Sequence, residues 1–211
     1  MMDESLPAAP LAAIVLAGGR SERMGRDKAG IRLGGEPLLT RTARVVAEVA
    51  RPVVVVAAAG QVLELEPLRV EVVRDEEPHG GPLVALVRGL DAVGERASHV
   101  FVCGTDHPRL AASVIARLND LVQSHDAAIA TIGGRPQLLC AVFRTAVRDR
   151  AHALVGRGLR SMRALAEQLE VRAVTAEELL DDPRVTRDDP ALDSFVDVDT
   201  PEDLRKLERP E

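Results

Sequence analysis

Aromatic side chains are almost missing from this chain: among its 211 residues there are three Phe and neither Trp nor Tyr. That scarcity argues against the stacking platforms on which single-stranded nucleic acids are held. The net charge of −6 argues in the same direction, because a chain of this sign does not attract a phosphate backbone as a whole. No nucleic-acid partner is expected. Cysteine is sparse too. Cys103 and Cys140 each sit in an apolar run, outside any CxxC spacing, and read as buried free thiols, not as a disulfide or a metal pair. No apolar run reaches membrane-spanning length, and MMDESLPAAP at the start has neither a basic stretch nor a long apolar one. A cytoplasmic protein with no membrane partner is the expectation.

What is present has an ordinary globular balance, 46% apolar and 28% charged, in a length that suits one domain with a full core. The short apolar run Leu11–Leu16 fits a strand covered on both faces, and it opens into LAGGRSERMGRDK, residues 16 to 28. Those thirteen residues hold three glycines, three arginines and a lysine. Glycines let backbone N–H groups close on an anion, and cationic side chains neutralise it, so the loop reads as a phosphate seat. Two common fingerprints fail. There is no G-x-G-x-x-G, and counting from Gly19 puts Met24 where a Walker loop needs glycine. In the functional reading Gly18 and Gly19 admit close backbone approach, while Arg23 and Lys28 neutralise phosphate charge. In the plainer reading the loop is a tight turn with a solvated basic face.

Further along, helices are expected over 38–50, 83–93 and 112–122, alternating with strands over 53–58, 70–73 and 100–103. That alternation predicts a mostly parallel α/β sheet. Two strands at 127–131 and 138–143, separated by Gly133-Gly134, make one strand antiparallel. Helical stretches follow at 146–155 and 161–169. Residues 181–193 are read as an acidic surface loop and 195–198 as a last short strand. Thr200-Pro201-Glu202-Asp203 is a helix start.

Ligands gather at the carboxyl ends of strands in such sheets, where residues 16–28, Arg74-Asp75 and Thr105-Asp106-His107 all fall. Asp106 either caps the next helix or holds Mg2+, which takes one or two carboxylates plus phosphate oxygens. Asp75 either caps a loop or accepts hydrogen bonds from a base or ribose. Asp197 and Asp199 share one face of the last strand and offer a second metal carboxylate or an exposed pair. His79 and His107 read as solvated or hydrogen-bonded loop residues.

LAGG-x-S-x-R-M-G-x-DK, with the aspartate of VVRD, the GPL of HGGPL, the aspartate of CGTDHP and TPEDL, resembles the molybdenum cofactor guanylyltransferases over roughly residues 11–207. The resemblance implies a Rossmann-like three-layer nucleotidyltransferase fold, with 1–10 a flexible N-terminus and 11–207 one nucleotidyltransferase domain. It implies transfer of GMP from GTP to molybdenum-bound molybdopterin with release of pyrophosphate. Carried over by residue, Leu16, Ala17, Gly18 and Gly19 would meet the nucleotide, as would Lys28 and Asp75, and Asp106 would bind nucleotide and Mg2+, with Asp199 a further metal candidate. Arg23, Lys28 and Asp106 would carry the catalysis. Enzymes that supply molybdopterin or accept the product are candidate partners. Three departures stand out. Val56 or Ala57 replaces an asparagine common at the end of the second strand, DVDTPE replaces NVNTPE, and Pro136-Gln137-Leu138 replaces Gln-Pro-Leu. Aspartates at 197 and 199 are more like the related cytidylyltransferases, whereas LAGG in place of LAAG favours GTP. A CTP-using enzyme and a non-catalytic cofactor carrier are the alternatives. Gln137 and Arg160-Ser161 are candidates for the pterin side.

Overall fold

The computed structural model describes residues 10–18, 20–21, 26–27, 31–75, 80–198 and 200–207. Side chains along β1 (Leu11–Leu16) alternate between two separate cores: Leu11, Ala13 and Val15 face one, Ala12, Ile14 and Leu16 the other. A strand buried on both faces needs helices on both, and the chain supplies them. On the first face lie α1 (Leu38–Val49), α3 (Ala112–Val122), α6 (Ala176–Leu180) and α7 (Pro183–Asp188). The second face is covered by α2 (Pro82–Val93), α4 (Arg148–Gly156) and α5 (Met162–Ala166). The result is a three-layer α/β/α arrangement.

Besides β1 the sheet contains β2 (Val53–Ala58), β3 (Glu71–Asp75), β4 (His99–Cys103), β5 (Ala127–Ile132), β6 (Arg135–Arg144) and β7 (Val171–Val174). Its seven strands run in the order β7-β5-β6-β4-β1-β2-β3. Only β6 is antiparallel to its neighbours, as the Gly133-Gly134 turn predicts. Both glycines sit at positive φ, which that turn requires. Two short antiparallel ladders flank the sheet, Arg20–Ser21 with Arg26–Asp27 and Arg32–Leu33 with Glu36–Pro37. Among the described residues no helix is long and apolar enough to cross a membrane. Of the stretch expected to be flexible, residues 1–9 lie outside the described residues, and the carbonyl of Pro10 accepts the amides of Ser98 and His99.

Three expectations change. The third strand runs to Asp75, which pairs with Ala58 inside the ladder. Residues 181–193 are no plain loop: Asp182 accepts the Arg184 amide at 2.8 Å and Pro183 takes the first helical position, which starts α7. Residues 195–198 make no strand. There the Asp189 carboxylate takes the amides of Asp193 and Ser194, the Phe195 amide closes a tight turn on Leu192, and the Val198 amide turns to the Asp106 carbonyl. Side-chain acceptors have displaced the ladder. The helix start at Thr200 is as expected: its hydroxyl accepts the Asp203 amide and Asp203 Oδ2 accepts the Thr200 amide, opening α8 (Pro201–Leu207).

Candidate active site

Chain order reverses between β1 and β4. From β1 the chain moves through α1 to β2 on one side, and α2 then carries it from β3 back to β4 on the other. A crevice opens at the carboxyl end of such a switch point. Register aligns Val15 with Cys103 and Leu16 with Val56, so the segments leaving β1 and β4 emerge side by side. Ala17 and Gly18 leave one strand, Thr105 and Asp106 the other. Sequence reasoning placed both segments correctly.

The backbone at the end of β1 is already committed in part. The amides of Ala17 and Gly18 both donate to the Val56 carbonyl, at 2.8 and 3.3 Å, and the Leu16 side chain is buried in the core. A Cβ at Gly18 would stand 3.4 Å from the Ala58 amide nitrogen, an ordinary contact, so the chain lies against the end of β2 without glycine being required. The Gly18 N–H is thus turned to β2 and not to an anion. Gly19, Arg23, Lys28, His79 and Asp199 lie outside the described residues.

Asp106 leaves β4 two residues past Gly104, whose amide reaches sideways to the Leu139 carbonyl at 3.3 Å. That carbonyl belongs to the part of β6 where the register slips between Pro136 and Ala141. A bulge at the mouth of a site bends the strand away and makes room. His107 is only 4% exposed in its side chain, with Nε2 3.7 Å from Asp106 Oδ1 and Nδ1 3.3 Å from Asp197 Oδ1. Of the two expectations for His107, solvated or hydrogen-bonded, the solvated one fails: it is a buried imidazole set between two carboxylates. Beneath them lie Cys103 and Cys140, free, fully buried and directly opposite each other in the ladder. Burial pushes both thiols up, and at Cys140 the nearby charges of Asp197, Asp106 and Asp189 add to it. Three carboxylates thus act on one spot below the crevice.

Carboxylates such as Asp106 and Asp197 are donors of the kind a divalent cation takes. Among the described residues no group of three or more His, Cys, Asp or Glu could hold a metal by itself. An ion of the magnesium kind needs no such cage, since it takes one or two carboxylates together with phosphate oxygens.

Asp75 ends β3, with β2 and β1 between it and β4. Three strand spacings separate the ends carrying Asp75 and Asp106, roughly 14 Å. The two carboxylates therefore stand too far apart to serve one atom. Between them stands a residue that sequence reasoning missed. Gln61 donates through Nε2 to the Ala17 carbonyl at 3.0 Å and accepts the Ala58 amide at 3.0 Å, tying the ends of β1 and β2. Arg74 donates to the carbonyls of Ala58 and Gln61 from the β3 side. Gln61 is a lone amide in a connecting segment, and no local pattern announces a partner forty-four residues away.

The candidates for a second substrate divide. Gln137 Nε2 turns back to the Arg135 carbonyl at 3.2 Å, on the bulged strand. Arg160 and Ser161 lie beside the start of α2, where the Arg160 carbonyl accepts the Leu83 amide at 3.1 Å. Gly81 is needed at that junction: its φ is +82°, and a Cβ would stand 2.8 Å from the Arg160 carbonyl oxygen. The Ser161 hydroxyl caps α5 by accepting the Ala164 amide.

A doubly covered, mostly parallel sheet, with Ala17–Gly18 and Asp106 leaving adjacent strand ends of its switch point, is a nucleotide-binding α/β frame. The comparisons are more specific. The MobA-like NTP transferase domain matches residues 13–173, and the chain belongs to that family. A protein of Mycobacterium marinum named "Probable molybdenum cofactor guanylyltransferase" is 41% identical over 174 residues, covering 79% of this chain and 84% of its own. Two solved structures share the fold. Molybdopterin-guanine dinucleotide biosynthesis protein A of Archaeoglobus fulgidus superposes with a TM-score of 0.74 at 21% identity, over 93% of this chain and 96% of that one. The 2-C-methyl-D-erythritol 4-phosphate cytidylyltransferase of Thermus thermophilus gives 0.67 at 18%, over 92% and 96%.

Proposed function

We propose that this chain is a molybdenum cofactor guanylyltransferase, which joins GMP from GTP to molybdenum-bound molybdopterin and releases pyrophosphate. The observation that carries the reading is the side-by-side emergence of the Ala17–Gly18 and Thr105–Asp106 segments at the switch point, in a chain 41% identical to a relative of that name. A phosphate oxygen of molybdopterin attacks the α-phosphorus of GTP, and the bond from that phosphorus to the bridging oxygen of the β-phosphate breaks. The nucleophile is already anionic, so no protein base is required. Positioning and charge compensation supply the acceleration.

Each residue then has a separate task. Asp75, with the Leu16–Gly18 backbone, holds the nucleoside end. Gly19 admits close backbone approach to the nucleotide, and Arg23 and Lys28 balance the phosphate charge, including charge passing to the leaving pyrophosphate. Asp106 would hold Mg2+ together with triphosphate oxygens, with Asp199 as a further ligand. When bound, the ion screens the triphosphate against the approaching anion.

The test is pyrophosphate release from purified protein with molybdenum-loaded molybdopterin, Mg2+ and each of the four nucleoside triphosphates in turn. GTP should be consumed, and Asp106→Ala should lower kcat by about a hundredfold or more while the circular dichroism spectrum stays that of the parent. Turnover of CTP in preference to GTP would convert the reading to a cytidylyltransferase. Full activity of the Asp106→Ala protein would remove the metal role.

A further inference from the structure

We infer that Asp189, acting through Ser194, is a positioning residue for Asp106; this rests on the role given to Asp106 above. Past Gly104, whose amide still reaches the Leu139 carbonyl, the loop from Asp106 to Ala111 has left the sheet. Within the loop, the Leu110 amide reaches the His107 carbonyl at 3.2 Å. Leu110 packs into the core, and from outside the segment 189–198 bonds to the loop at both ends.

Asp189 is buried, and both its carboxylate oxygens are engaged. Oδ1 accepts the Asp193 amide at 2.7 Å and Oδ2 the Ser194 amide at 3.0 Å. Burying a carboxylate is costly unless such donors meet it, so the charge is there to shape this turn. The turn presents the fully buried Ser194 hydroxyl to the loop, where it accepts the Ala111 amide at 2.9 Å and donates to the Arg109 carbonyl at 3.5 Å. Arg109 reaches back to Asp193 at 2.6 Å. At the loop's other end, the Val198 amide donates to the carbonyl of Asp106 itself at 2.9 Å. Leu192, Phe195 and Val198 are buried and anchor the segment. The loop is therefore clasped at both ends by residues beyond 173, where the family match stops.

A carboxylate displaced by a fraction of an ångström holds a metal poorly and orients the triphosphate poorly, and misplacement of that order is expensive in rate. Asp189→Asn keeps the shape of the side chain but turns one acceptor into a donor facing an amide N–H. Ser194→Ala leaves the Ala111 amide without its acceptor.

The experiment is steady-state pyrophosphate release by the full chain, with Mg2+ titrated at saturating GTP, and thermal melts of each variant alongside. In each folded variant kcat should fall about tenfold and half-saturating Mg2+ should rise severalfold, with the KM for GTP held within roughly twofold. A segment that only supported the fold would shift the melt and leave the Mg2+ dependence of the folded protein alone. Parental kcat and Mg2+ dependence, or a raised KM with unchanged kcat, overturns the inference. If Asp189→Asn does not fold, Ser194→Ala decides. If neither folds, the segment is a folding element and the inference is wrong. A parent chain that releases no pyrophosphate refutes the proposed reaction; an active parent with unaffected variants refutes only the clasp.

Discussion

Cys103 and Cys140 show how much a single side chain's setting decides. Both thiols lie in the sheet interior, and burial, reinforced by neighbouring carboxylate charge, holds them in the protonated, unreactive form. A thiol-disulfide reagent at pH 8 should therefore leave the native protein untouched over minutes and titrate two thiols once urea is added. Rapid labelling of the native protein would contradict that setting. Their character was legible because apolar neighbours in sequence become apolar neighbours in a strand. Asp75 and Asp106 were legible for a related reason: an acid that ends an apolar run must stand at a strand's edge. Gln61 and Ser194 were not. Each acts through hydrogen bonds to backbone groups distant in sequence, Ala17 and Ala111, and carries no local mark.

At the level of elements, α2 illustrates close packing on β1. A Cβ added at Gly89 would stand 2.6 to 2.8 Å from three side-chain carbons of the fully buried Ile14. On an exposed helix Gly→Ala gains about 1 kcal/mol, but overpacking a filled core costs about 1 to 3 kcal/mol. Gly89→Ala should lower stability by urea denaturation, and a gain would show that helix and sheet can separate at no cost. The long elements could be read from periodicity alone, since β1, β2, α1 and α3 each hold one pattern over enough residues. The region 171–198 could not. Its elements are short, and their ends are set by Asp182, Asp189 and the capping pair Thr175 and Glu178, not by apolar spacing. A run of acids reads as solvent-facing until the structure shows two of them buried and each bonded to backbone amides.

Across the whole molecule, those caps tie stability to acid. Hydrogen bonds and charge from Arg184 hold the Asp182 carboxyl at about 2, below its ordinary 3.8. Its contribution is complete above pH 4 and is lost as pH falls toward 2, where protonation removes it. Asp182→Asn should be less stable than the parent at pH 7 and should lose less on acidification from pH 4 to 2. Parallel pH curves would show that the pair contributes nothing beyond its exposed, screened component, for the Arg184 side chain is half exposed. The sheet itself has a further consequence. The gap between the ends of β3 and β4 is fixed by two intervening strands, and backbone hydrogen bonds set that spacing whatever the side chains are. The frame acts as a ruler cut to one length between those two strand ends. Side-chain substitution cannot recalibrate it. Differences among chains that share this sheet then fall to the loops, and a structure superposing on it at 18% identity is what such a frame allows.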